Sequence, residues 1–148
     1  MVRVTEHMFA HSARSIQTRH TDPMSLPAAS ATEPGTESDV EIAVRLAREA
    51  GHLLVTLREA MWRDGAHSWD VMDHGDAAAH EFIGRELRLH RPDDAVLDEE
   101  GKEDPRRFHD DRVWIIDPLD GTREFGEPGR HDWAVHIALW ERGALVAG

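Results

Sequence analysis

Val113-Trp114-Ile115-Ile116 constrains the fold more than any other stretch of the chain. It is short, continuous, apolar and rich in β-branched side chains, the pattern of a buried strand. It runs straight into Asp117-Pro118-Leu119-Asp120-Gly121-Thr122, where an aspartate, a proline-fixed turn and a second aspartate aim two carboxylates at the strand's carboxyl end. A second acidic cluster, Glu99-Glu100, follows the short strand expected over Ala95-Val96-Leu97. Hard dications take such oxygen ligands, and magnesium is commonly shared between a few carboxylates and a substrate phosphate. The residues therefore suggest metal-assisted phosphoryl transfer to water.

Around this strand the periodicity alternates between helix and sheet. Ser38-Asp39-Val40-Glu41 has the form of a capping box. Val40, Val44, Ala47, Ala50, Leu54 and Leu57 then recur at helical spacing, so a helix is expected over 39–62, ending before Asp64-Gly65. Asp73-His74-Gly75-Asp76 reads as a turn or cap. A second helix follows it, with Ala79, Phe82, Ile83 and Leu87 inward, and stops before Arg91-Pro92. Residues 133–140 form a longer strand that returns through Glu141-Arg142-Gly143 into Ala144–Ala147. Two long helices followed by an antiparallel sheet make an α+β layered architecture.

Residues 1–37 hold scattered Ser, Thr, Pro, His and Arg without an apolar period, and the expectation is a disordered extension, leaving 38–148 as the folded part. The 148 residues contain no cysteine, which excludes disulfides and thiolate metal sites and is compatible with the cytoplasm. No apolar run approaches the ~20 residues that span a bilayer. Seventeen basic against 29 acidic residues give a net charge of −12, which argues against a nucleic-acid binder. A small phosphorylated substrate would need cations to offset that charge.

Each motif also has a plainer reading. Asp-Pro-Leu-Asp-Gly alone is a good β-turn, and two glutamates alone are usually a solvated pair. What favours the metal–phosphate reading is that both clusters close strands, while Gly121-Thr122 opens a possible helix whose amides can hold a phosphate. His67, His74, His80 and His90 lack compact zinc spacing and read as surface residues. His136 reads as a hydrogen-bonded core residue. Trp114, Trp133 and Trp140 read as core or half-buried strand residues, and Arg123 and Arg130 as either phosphate contacts or ordinary surface pairs.

Trp114 to Thr122, preceded by Glu99-Glu100-Gly101, resembles the signature of the inositol monophosphatase superfamily of magnesium-dependent phosphatases. The continuation Arg123-Glu124-Phe125, with Gly126 to Arg130 and Asp132 to His136, is similar to the bacterial 3′(2′),5′-bisphosphate nucleotidase branch. The resemblance implies the N-terminal portion of that superfamily's layered sandwich and hydrolysis of 3′-phosphoadenosine 5′-phosphate to AMP. Inositol 1-phosphate and fructose 1,6-bisphosphate are the alternative substrates, and an inactive metal-binding fragment is the alternative of another class.

The resemblance also implies roles. Glu99, Asp117 and the Leu119 carbonyl would hold a first magnesium, and Asp117 with Asp120 a second. Glu100 would serve a third ion or its waters. Thr122 with Asp76 would activate the attacking water, and the Gly121 and Thr122 amides would contact the phosphate. Relatives are often dimers, so a homodimer is compatible. In the family a downstream Trp-Asp motif completes the second metal site. This sequence stops before it, so water would fill that ligand position and apolar sheet surface would be left uncovered. Asp98, where related sequences often carry a small residue, would add charge beside Glu99.

Overall fold

A computed structural model describes residues 2–4, 37–98 and 105–148. Its elements are β1 (Val2–Val4), α1 (Asp39–Arg63), α2 (Ser68–His90), β2 (Ala95–Asp98), a 3₁₀ turn (Pro105–Phe108), β3 (Arg112–Asp120), the short α3 (Thr122–Phe125), β4 (Ala134–Glu141) and β5 (Ala144–Ala147). No described helix is long and apolar enough to cross a membrane.

The capping box forms as expected. The Ser38 amide donates to Glu41 Oε2 at 2.8 Å, and the Glu41 amide returns to Ser38 Oγ at 3.3 Å. The buried face of α1 is rotated from the expected one: Ile42, Ala43, Leu46, Ala47, Ala50 and Leu54 are fully buried, whereas Val40 is 52 % exposed. Two apolar stripes overlap in this sequence, and the sheet selects the one containing the larger Ile42 and Leu46. α2 starts earlier than expected and runs straight through Asp73-His74-Gly75-Asp76. These residues have the composition of a turn, but Gly75 lies in the buried stripe Val71, Gly75, Ala79, Ile83 and Leu87. A Cβ there would stand 2.4 Å from Phe125 Cε1, so the glycine lets α2 approach α3.

The strand order is β1-β4-β3-β2, with β5 also paired to β4. The sheet is mixed, not antiparallel, because β2 runs parallel to β3 with Ala95 opposite Val113 and Asp98 opposite Ile116. The segment between these strands is about the dozen residues that a parallel connection needs, whereas a hairpin would have made them antiparallel. Val2–Val4 pairs with Val135–Ile137, and Glu37 ion-pairs with Arg45 at 2.9 Å. Both lie inside the stretch expected to be disordered. A three-residue strand is too short to leave a period, and an unpaired sheet edge is enough to recruit it. Residues 5–36 lie outside the described residues.

Both long helices pack on one sheet face, where Trp114, Ile116, Val135, Ile137 and Leu139 meet the helical stripes. At one end Asp94 accepts from Trp114 Nε1 at 2.9 Å and from Arg112, while Arg112 and Arg91 both reach Asp39. This network ties the start of α1 and the end of α2 to β3. The opposite sheet face carries a shallow groove of about 290 Å³ lined by Leu97, Arg107, Phe108, Val113, Ile115 and Trp140. Phe108 and Leu145 are 67 % and 61 % exposed.

Candidate active site

Contrary to the expected proline-fixed turn, the carboxyl end of β3 does not turn at Pro118. It stays in the sheet through a bulge. Asp117 faces His136 across the ladder, and the next aligned pair is Asp120 with Ala134. Three residue steps on β3 therefore match two on β4. In a regular strand, side chains three apart project from opposite faces. The extra residue cancels that reversal and brings Asp117 and Asp120 to the same face. Pro118 is tolerated because a bulge leaves its missing amide without a ladder partner to serve.

Beyond the bulge Gly121 adopts φ +82°, which frees the chain to enter α3 at Thr122. A side chain there would press on the Asp132 carbonyl and Trp133 from 3.0–3.3 Å. Thr122 Oγ1 donates to the Leu119 carbonyl at 2.8 Å, which locks the loop and leaves the hydroxyl lone pairs available as acceptors. Phe125, fully buried, closes α3 against Trp133 in an edge-to-face contact at 5.2 Å. Ser68 Oγ donates to the Gly126 carbonyl, fastening the end of α3 to the start of α2.

These constraints build one cleft of about 180 Å³ lined by Asp76, Asp117, Pro118, Leu119, Asp120, Gly121 and Thr122. Every described residue for which the family resemblance implies a metal, phosphate or water-activating role lines it. Asp76 arrives from the middle of α2 instead of a loop. Glu99 and Glu100 lie outside the described residues. Among the described residues no three metal-ligating side chains stand together, but the polar side chains of the residues that line the cleft all carry oxygen: Asp76, Asp117, Asp120 and Thr122. That set suits a hard dication and not a soft one.

His80 is half-exposed and His136 is a hydrogen-bonded, mostly buried residue, as their sequence contexts suggest, but each meets a carboxylate on another element. His80 lies one helical turn beyond Asp76, and its Nδ1 is 2.6 Å from Asp98 Oδ2, so Asp98 has a partner of its own on α2. Asp98 is in register with Ile116, the residue before Asp117. His136 Nε2 lies 2.9 Å from Asp120 Oδ2. The signal for His136 was present: it is the lone polar side chain among the apolar residues 133–140. Arg123 and Arg130 lie in surface pairs. Arg123 meets Glu127 at 3.4 Å, and Arg130 pairs with Asp132, Glu127 and Glu124. The hydrogen bond from Arg130 holds the Asp132 carboxyl down to about 2.

Comparison with known proteins agrees with this geometry. Residues 36–148 match the inositol monophosphatase family. The chain is 52 % identical over 96 residues to the 3′-phosphoadenosine 5′-phosphate phosphatase of Mycobacterium tuberculosis, covering 65 % of this chain and 35 % of the relative. It is 37 % identical over 116 residues to the 3′(2′),5′-bisphosphate nucleotidase CysQ of Escherichia coli O157:H7, covering 70 % of this chain and 44 % of the relative. Among solved structures, CysQ from Bacteroides thetaiotaomicron superposes with a TM-score of 0.57 at 30 % identity, over 75 % of this chain and 41 % of that one. The chain thus spans about 35–44 % of the length of these relatives.

Proposed function

This chain belongs to the inositol monophosphatase family, and from that premise we propose that it carries the metal and water-activating half of a 3′(2′),5′-bisphosphate nucleotidase site. The observation that carries the reading is the bulge that sets Asp117 and Asp120 on one face of a cleft shared with Asp76 and Thr122. The substrate class follows from the 52 % identity to a 3′-phosphoadenosine 5′-phosphate phosphatase and from Arg123-Glu124-Phe125 after the aspartate motif.

Magnesium, two to three ions, would be held by Asp117, Asp120, the Leu119 carbonyl and Glu99, with Glu100 as a further ligand or water partner. When bound it supplies positive charge to the phosphoryl oxygens and acidity to the attacking water. Around it the chain's own groups orient and deprotonate. The Thr122 proton is committed to Leu119, so its oxygen accepts a hydrogen from the water and fixes the water's lone pair toward phosphorus. Asp76 takes the proton released as the oxygen attacks. The Gly121 and Thr122 amides hold the scissile phosphate while its bond to the nucleotide oxygen breaks and water takes that oxygen's place. A cytoplasmic homodimer is compatible with this reading, and sedimentation and fractionation would check it.

The test is phosphate release by the purified chain from adenosine 3′,5′-bisphosphate, inositol 1-phosphate and fructose 1,6-bisphosphate. Preferred turnover of the nucleotide, abolished by Asp117→Asn and lowered about 10²–10⁴-fold by Asp76→Asn, is expected. Faster turnover of inositol phosphate or the sugar bisphosphate overturns the substrate assignment. Magnesium binding without any turnover would identify the chain as a noncatalytic metal-binding unit.

A further inference from the structure

His136 has no role in the chemistry above, yet its position is costly. Its neighbours on β4, Ala134, Val135, Ile137, Ala138 and Leu139, are all buried. The imidazole itself is only 13 % exposed. A polar ring among apolar side chains is unfavourable unless it is hydrogen-bonded. Nε2 has a partner, Asp120 Oδ2 at 2.9 Å, whereas Nδ1 is buried with no hydrogen-bond partner. A carboxylate can only accept, so the bond assigns the ring hydrogen to Nε2.

The same bulge that turns Asp120 toward Asp117 brings it diagonally across from His136. Asp120 ends the strand and its side chain is 51 % exposed. Without a partner such a carboxylate would sample several rotamers, and each ion bound would have to select one. With Oδ2 held by His136, Oδ1 is the oxygen left for an ion in the cleft that Asp120 lines.

We propose that His136 is a positioning residue: its Nε2–H fixes the Asp120 carboxylate in the orientation that receives a dication. This rests on the metal reading above. Outer partners of this kind change metal affinity about 10- to 100-fold.

The test uses the full 148-residue chain and Mn²⁺ as probe, with free ion followed by electron paramagnetic resonance and stability by thermal unfolding. His136→Leu keeps bulk and removes the donor, and His136→Gln keeps an N–H near the Nε2 position. The expected result is Mn²⁺ binding weakened at least 10-fold by Leu and largely restored by Gln, with the melting temperature of the Leu variant unchanged or raised. A purely structural role would lower the melting temperature of both variants and leave Mn²⁺ affinity alone. Unchanged affinity in the Leu variant, or equal loss in both, overturns the proposal. Asp117→Asn separates the two levels. If it abolishes binding while His136→Leu does nothing, only the positioning role fails. If Asp117→Asn has no effect, or the chain binds no Mn²⁺, the metal reading fails and the proposal with it.

Discussion

Gly75→Ala puts local propensity and tertiary packing in direct opposition. Alanine in a helix interior is favoured over glycine by about 0.5–1 kcal/mol, so α2 considered alone would gain. The new methyl, however, would sit 2.4 Å from Phe125 Cε1 and 3.1 Å from Cδ1 and Cζ. Carbon atoms rest at about 3.5–4.0 Å, so the ring must retreat by about an ångström. It has little room to do so. Phe125 is fully buried, abuts Trp133 and carries the Arg58 guanidinium 5.4 Å over its face. Overpacking of this sort costs about 1–3 kcal/mol. The net change is a loss of about 1 kcal/mol, which lowers the melting temperature of a domain this size by about 5 °C. Gly84→Ala on the same helix is the control. Its Cβ meets only the end of the Arg88 side chain at 3.2 Å, which can swing away, so it should gain the full helical preference. Urea unfolding of both variants, followed by circular dichroism and tryptophan fluorescence, reads the two signs. If Gly75→Ala stabilises the protein as Gly84→Ala does, the close approach of α2 to α3 is wrong, and with it the placement of Asp76 beside Thr122.

Three further outcomes are expected. Magnesium should raise the melting temperature, by the equivalent of about 2.7 kcal/mol at one hundred times its dissociation constant, and Asp117→Asn should abolish the effect in differential scanning fluorimetry. Acid should destabilise the fold below about pH 4.5. The hydrogen bond from Arg45 holds Glu37 below its ordinary 4.5, and although burial pushes Asp39 up, bonds from Arg91 and Arg112 outweigh it and hold Asp39 below 3.8. Both groups bind fewer protons folded than unfolded, so their stabilisation is complete above these values and is lost as pH falls through the folded ones. Arg91→Gln should flatten that slope in unfolding curves at pH 5, 4 and 3. Asp94→Asn should cost about 2 kcal/mol, because it weakens bonds to both Trp114 Nε1 and Arg112, with the charge contribution discounted for the 29 % exposure of Arg112. A shifted urea midpoint at constant slope is the check.

What could be read from the sequence was whatever neighbouring residues decide among themselves. The capping box at Ser38, the apolar run at Val113–Ile116, the hairpin at Arg142-Gly143 and the paired aspartates are all local patterns, and all are present. The misses share a different cause. Gly75 looks like part of a turn until Phe125, far along the chain, is packed against it. The stripe that α1 buries is chosen by the sheet, not by the helix. The parallel pairing of β2 with β3 depends on where the connection travels. His80 and His136 read rightly as surface and core, but their partners Asp98 and Asp120 lie on other elements and leave no local trace.

Asp117-Pro118-Leu119-Asp120 is where the two kinds of information meet. Locally, the proline signals a turn that would end the strand, and the identity of both carboxylates is plain. Only the ladder with β4 shows that the proline marks an extra residue within the strand. That difference decides the chemistry, because a regular strand would send the two aspartates to opposite faces and no ion could join them. The two carboxylates at the strand end were therefore legible in the sequence, but the means of placing them on one face was not: the bulge is a property of two strands together.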